Sequence, residues 1–348
     1  MLERPWYPFS YVPSQIQKRN CNWLVKNSSV LITGGTGSIG QALIDDLLEK
    51  RDVRRLAIFS RDELKQASLK AKYSHEPRLR WFIGDVRDLP RLTTAFYGVD
   101  YVIHAAALKQ VDTGEYNPME FIKTNILGSQ NVIDAAIHSG VKKVIALSTD
   151  KASSPINLYG ATKLTADKLF ISANNYSIAR GTSFSVVRYG NVLGSRGSVI
   201  PLFLKLARDN KPLPVTDKRM TRFWISIEEA VDFIIESFKI MNGGELYVPR
   251  IPSMKLIDLA TAISPTNNII ESQIRPGEKL HEEMISSDDS RRTILMKDRF
   301  IVSPVVAEWG YREPVGERMP DGKAYKSDTN DMWVSKEDLE RILIKFEQ

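Results

Sequence analysis

The sequence predicts an α/β fold, a Rossmann-like doubly wound parallel sheet with a smaller C-terminal substrate-binding lobe. Three observations predict it. Short apolar runs alternate with longer amphipathic stretches from Ser28 onward. Those runs are continuously apolar, as expected of strands covered on both faces. A glycine-rich turn, Thr33-Gly34-Gly35-Thr36-Gly37-Ser38-Ile39-Gly40, links the first run to the first amphipathic stretch.

Val30-Leu31-Ile32 reads as the first strand. Ile39 to Lys50 reads as a helix, with Ile39, Ala42, Leu43 and Leu47 at helical spacing. Leu56 to Phe59, Leu79 to Ile83 and Tyr101 to Ile103 are the next strands, with helices between, including Pro118 to His138. Val144 to Leu147 and Phe184 to Val187 follow. After about Gly190 prolines and glycines become frequent, although Ile227 to Lys239 and Leu256 to Ile263 still read as helices. Ser335 and Asp338 form a capping box for a last helix, Lys336 to Phe346. The organisation expected is an N-terminal arm (1–27), a dinucleotide-binding Rossmann domain that also carries the catalytic residues (28–190), and a mainly substrate-binding lobe (191–348). Some segments of that lobe return to the sheet.

The 348 residues carry a net charge of +6, which mildly favours anionic ligands. Lys and Arg form no dense run, so nucleic-acid binding is not expected. A lone cysteine, Cys21, excludes an intrachain disulfide framework and fits a reducing cytoplasm. His75, His104, His138 and His281 lack metal-ligand spacing, so no metal is expected. No apolar run reaches the roughly 18 residues of a membrane span. The aromatic, proline-interrupted N-terminus is not a signal peptide; it reads as a packing arm. Membrane-surface contact through Trp6, Tyr7, Phe9 and Tyr11 is the alternative.

Gly34, Gly37 and Gly40 let the backbone approach a pyrophosphate, and the helix start around Thr36, Ser38 and Ile39 offers it N–H groups. One extra residue separates the first two glycines from the usual G-x-G-x-x-G spacing. Ser60-Arg61 ends the second strand, where an arginine accommodates a ribose 2′-phosphate. NADP is therefore favoured, with NAD kept open by Asp62 and Glu63. Asp85-Val86 after the third strand reads as an adenine contact, with a solvated loop acid as the alternative. The small Ala105 and Ala106 after His104 allow close passage to a cofactor.

Tyr159 and Lys163 are four apart on a predicted helix and share a face. A free phenol titrates near 10, and the nearby ammonium of Lys163 is expected to lower that value. Such a tyrosine takes a proton from a sugar hydroxyl as hydride leaves the same carbon. Asp150-Lys151 adds an acid and an amine that a plain dehydrogenase does not need. Oxidising C4 of a sugar acidifies the C5 proton. Lys151 is the candidate base and Asp150 the candidate acid for loss of the C6 hydroxyl.

At these residues the chain resembles the extended short-chain dehydrogenase/reductases, and within them the inverting UDP-N-acetylglucosamine 4,6-dehydratases of the pseudaminic acid pathway. The resemblance runs from about Ser29 to the C-terminus. It is carried by Leu108-Lys109-Gln110-Val111, Glu115-Tyr116-Asn117-Pro118, the stretch 148–163, Arg188-Tyr189-Gly190-Asn191-Val192, Arg219-Met220-Thr221-Arg222-Phe223 and Arg275-Pro276-Gly277-Glu278-Lys279. It implies a catalytic group of Thr149, Asp150, Lys151, Tyr159 and Lys163. It implies cofactor contacts at Lys109 and Asn125 besides the residues above. It implies substrate contacts at Lys109, Asn191, Arg196, Val199, Arg275 and Glu278, with Arg275 at a phosphate and Glu278 at a ribose hydroxyl. It further implies a UDP-N-acetylglucosamine substrate and a homo-oligomer, dimer or hexamer. Tyr159, where related retaining enzymes carry methionine, points to the inverting branch. Asp112-Thr113-Gly114 departs from the Pro- and Ala-rich stretch expected there. A UDP-hexose 4-epimerase would need Tyr159 and Lys163 but not Asp150-Lys151. A non-catalytic dinucleotide-binding scaffold predicts loss of the tyrosine, lysine or glycine loop, and all are present.

Overall fold

A computed structural model describes residues 26–195, 197–264 and 269–347. The predicted N-terminal arm lies almost wholly outside them. Six parallel strands form the heart of the sheet: β1 (Ser29–Thr33), β2 (Arg55–Ser60), β3 (Leu79–Ile83), β4 (Tyr101–His104), β5 (Lys143–Thr149) and β6 (Ser183–Tyr189). Their spatial order is β3-β2-β1-β4-β5-β6. The order reverses at β1, and such a reversal opens a ligand crevice at the strands' C-terminal ends. The sheet continues with Leu246–Pro249, parallel to β6, and then antiparallel Arg299–Val302, Thr293–Leu295 and Glu317–Arg318.

Helices α1 (Ser38–Glu49), α2 (Glu63–Lys72) and α3 (Leu89–Phe96) link the first four strands. The expected helix from Pro118 to His138 is present but not regular. After a short α4 (Val111–Tyr116) come α5 (Pro118–Phe121), a π-helical turn (Ile122–Leu127) and α6 (Gly128–His138). Gly114, part of the departure in the sequence, packs under Phe121; a Cβ there would lie 3.1 Å from the ring. Helix α7 (Leu158–Ser177) crosses the sheet between β5 and β6 and is capped by Asn157, whose side chain accepts from the Gly160 N–H at 2.7 Å. The last helix, Lys336–Glu347, opens at Ser335, which accepts from the Asp338 N–H and donates to its carboxylate.

Two apolar cores result. The larger surrounds the sheet, with Val30, Ile32, Leu43, Ile58, Ile103, Val144 and Phe184 buried within it. It also takes in Phe233 and Phe238 of the helix Ile227–Ile240, so this stretch of the second half belongs to the first core. The smaller core joins Ile200, Phe203, Val215, Trp224, Leu259 and Leu343. Between the two lies a cleft of about 1090 Å³. That volume reaches beyond the range of about 300–1,000 Å³ typical of single small-ligand sites. The described residues hold no helix long and apolar enough to cross a membrane.

Candidate active site

The floor of one end of the cleft is the turn after β1. Gly34 has a φ of +69° and donates to the Phe59 carbonyl at 2.8 Å. A Cβ there would come within 2.7 Å of the Ala106 backbone, so the turn and the segment after β4 can meet only through glycine. Ala105 and Ala106 line the same wall. Gly37 caps α1 without any side-chain hydrogen bond, and the first turn of α1 carries no acidic residue. Its N–H groups and positive dipole end therefore remain suited to an anion. Thr36, Ser38 and Ile39 line this end with Val86. The residues fit a dinucleotide pyrophosphate.

At the end of β2, Ser60 is buried, accepting from Thr36 at 3.2 Å and from Gln66 at 3.4 Å. Arg61 is half-exposed and reaches the Asp85 carboxylate at 3.5 Å. Asp85 does not line the cleft; Arg87 holds it at 2.8 Å. Two arginines take up the Asp85 carboxylate, while the neighbouring Val86 presents an apolar contact to the cleft. Asn125 lies behind the cleft wall. It sits on the π-helical turn, 1% exposed, and does not line the cleft. Its carboxamide binds the Leu108 N–H and carbonyl, both at 2.9 Å, and donates to Thr162 at 3.0 Å. Asn125 thus braces the wall that carries Lys109, which does line the cleft.

The candidate reacting groups gather at the end of β5. Thr149 starts a 3-10 turn, Asp150–Ala152, that presses against α7. A Cβ on Gly160 would come within 2.1 Å of the Lys151 carbonyl, so the turn docks on the helix only because residue 160 is glycine. Below, the buried pair Asp167–Arg188 at 2.9 Å and the Ser148–Asp167 bond at 2.7 Å anchor β5, β6 and α7 to one another. Lys163 is buried and donates to the Leu147 carbonyl at 2.7 Å.

The Lys151 ammonium lies 3.2 Å from Asp150 and 2.9 Å from Glu282. Both carboxylates are 1% exposed. Burial pushes the Asp150 carboxyl above its ordinary range; Lys151 opposes this and Glu282 adds to it. Burial disfavours the Lys151 ammonium, but the two carboxylates outweigh it and hold its pKa above the ordinary value. Tyr159 runs against expectation. Burial pushes its phenol up to about 12, and the charges of Lys151 and a hydrogen bond with Thr149 offset this only in part. Lys163 does not lower it, because its ammonium is directed to the Leu147 carbonyl.

Across the cleft, Asn191, Val199, Arg275 and Glu278 line the opposite wall. Arg275 pairs with Glu278 at 3.1 Å, and Glu278 meets the buried Arg222 at 3.4 Å. The Asn157 side chain donates to the Gly277 carbonyl at 2.8 Å, tying this wall to the start of α7. Arg196 lies outside the described residues. Glu282 and Arg222 are the site residues whose role sequence reasoning missed. Arg222 stood in a quoted motif without a role, and Glu282 follows the motif at 275–279 by three residues.

The family model described as polysaccharide biosynthesis protein matches residues 30–304. The chain belongs to that family. A UDP-N-acetylglucosamine 4,6-dehydratase (inverting) of Campylobacter jejuni is 51% identical over 329 residues, which is 92% of this chain and 98% of that protein. A UDP-glucose 4-epimerase of Rickettsia bellii is 43% identical over 270 residues, 76% of this chain and 79% of its own length. Among solved structures, the X-ray structure of Pen from Bacillus thuringiensis superimposes with a TM-score of 0.84 at 38% identity, covering 92% of this chain and 99% of Pen. The resemblance carried by the motifs therefore holds for this family member across nearly its whole length.

Proposed function

We propose that this member of the polysaccharide biosynthesis family is an inverting UDP-N-acetylglucosamine 4,6-dehydratase, a hydro-lyase. The observation that carries the reading is Lys151 held between two buried carboxylates in the cleft that Tyr159 also lines. The extended similarity to an inverting dehydratase supports it.

When bound, an oxidised nicotinamide dinucleotide supplies the hydride acceptor and a positive charge. Gly34, Gly37, Ser38 and Ile39 would hold its pyrophosphate, and Ala105, Ala106 and Lys109 its path along the wall. Ser60 and Arg61 favour NADP, because a guanidinium matches phosphate oxygens. Arg275 binds the UDP diphosphate and Glu278 a ribose hydroxyl, with Asn191, Arg196 and Val199 beside the sugar. Tyr159 takes the C4 hydroxyl proton as a phenolate, the form that the Lys151 charge and the Thr149 hydrogen bond favour, with Lys163 tying its helix to β5. Lys151 takes the C5 proton as the free amine. Asp150, whose raised pKa favours the protonated acid, protonates the departing C6 hydroxyl. The hydride taken from C4 returns to C6, C5 gains a solvent-derived proton on its other face, and the proton gained by Tyr159 offsets the one given by Asp150, so the sugar loses one water overall. Exposed Tyr116, Met119 and Leu127 support a homo-oligomer. The reading locates the enzyme in the cytoplasm.

The test is incubation with UDP-N-acetylglucosamine in heavy water, followed by NMR. The expected product is a 4-keto-6-deoxy sugar with L-arabino configuration and deuterium at C5. A product that keeps its 6-hydroxyl defeats the dehydratase reading and favours a 4-epimerase, the second reading, which the Rickettsia relative supports.

A further inference from the structure

Glu282 has no part in the steps above, yet it makes the shortest ionic contact of Lys151, at 2.9 Å. It comes from the second half of the chain, 131 residues beyond the lysine. Its backbone is pinned on both sides: the Glu282 N–H donates to Ser327 Oγ and its carbonyl accepts from the Ser327 N–H, each at 2.9 Å. Arg222 Nε lies 3.7 Å from its carboxylate. Arg222 is itself fixed by the carbonyls of Thr221, Leu280 and Lys279. A carboxylate so deeply buried is costly unless it is held for a purpose.

We propose, on the dehydratase reading, that Glu282 is a positioning residue for elimination: together with Asp150 it fixes Nζ of Lys151 in the cleft, toward C5 of the sugar. Burial opposes the charge on Glu282, but Lys151 and Arg222 outweigh it and hold its carboxyl below the ordinary range, so Glu282 stays a carboxylate throughout. In the elimination step the C5–H bond breaks and an N–H bond forms on the free amine of Lys151, while Asp150 gives its proton to the leaving hydroxyl. The charged and titratable groups facing Lys151 and Glu282 are Asp150, Arg222, Lys279 and Tyr159. Of these, Asp150 is the intended acid, and Lys279 is tied to the Ser153 carbonyl at 2.6 Å.

The test compares wild-type holoenzyme with Glu282→Gln and Glu282→Asp. Glutamine keeps an acceptor for Nζ but carries no charge. We expect Glu282→Gln to lower kcat by about 100-fold while KM changes by less than about threefold. A UDP-4-keto sugar that keeps its 6-hydroxyl then accumulates in quenched single turnovers. Loss of the carboxylate also removes a charge that raises the Lys151 pKa, so the ascending limb of kcat against pH moves to lower pH. Glu282→Asp restores part of the rate. Wild-type kcat and pH dependence in Glu282→Gln overturn the role. So does an equal loss in both variants without accumulation of the keto sugar. Wild-type enzyme that dehydrates nothing defeats the functional reading, whereas active wild type with an unimpaired Glu282→Gln defeats the role of Glu282 alone.

Discussion

Around the glycine-rich turn, the groups that shape the site come from the ends of neighbouring strands in the sheet: Gly34 after β1, Ser60 at the end of β2, Ala106 after β4. Around Lys151, the groups come from distant parts of the chain. Asp150 is adjacent, Glu282 arrives beside a strand of the second half, and Arg222 stands behind it. The nucleotide end is backbone geometry, which short glycine and alanine motifs encode. The elimination end is charge arranged by packing. The difference teaches that the two ends of the cleft are fixed by different physics, local backbone geometry at one and long-range packing of charge at the other.

The largest expected effect separates the two ends directly. Lys151→Ala should bind the dinucleotide normally yet dehydrate the sugar at least about 10³-fold more slowly, since it removes a proton-transfer group. Product formation by NMR and nucleotide titration measure the two effects, and unimpaired turnover would remove lysine from its role.

A smaller effect concerns the junction of the two ends. His104 ends β4, is 1% exposed, and contacts Thr33 at 2.8 Å. Burial lowers its pKa from 6.5 to about 3, with Lys163 adding to the shift. The native histidine is neutral while the unfolded one gains a proton below 6.5. Stability is therefore full above 6.5 and falls as pH drops toward 3, with a loss of about 2 kcal/mol by pH 5. Denaturant melts of wild type and His104→Gln from pH 5 to 8 check this; equal slopes would contradict it.

The smallest effect probes the nucleotide end alone. Arg61→Ala should weaken NADP binding about tenfold and leave NAD binding unchanged, consistent with loss of one exposed phosphate contact. Equal losses for both nucleotides would remove Arg61 from the 2′-phosphate.

Much of this was legible in the chain. Continuous apolar strands and the 33–40 turn specify the sheet and its crevice, because backbone burial and φ > 0 are local demands. The strand β5 carries Thr149 to its end, as the apolar run before it implies. The bonds of Asn125 were not legible, because only the π-helical turn directs its carboxamide to Leu108 and Thr162. The Tyr159 phenol was misread because helical spacing from Lys163 says nothing of where the ammonium points.

By itself, the sequence determined the parallel sheet, the glycine turn suited to a phosphate, and the presence of an acid, an amine and a phenol between residues 150 and 163. Only the tertiary structure decided which groups surround that amine. Glu282 reaches Lys151 across 131 residues because strand pairing and the Ser327 bonds place it there. Proton affinities follow from burial and from charges near in space, and neither is a property of neighbouring letters in the chain.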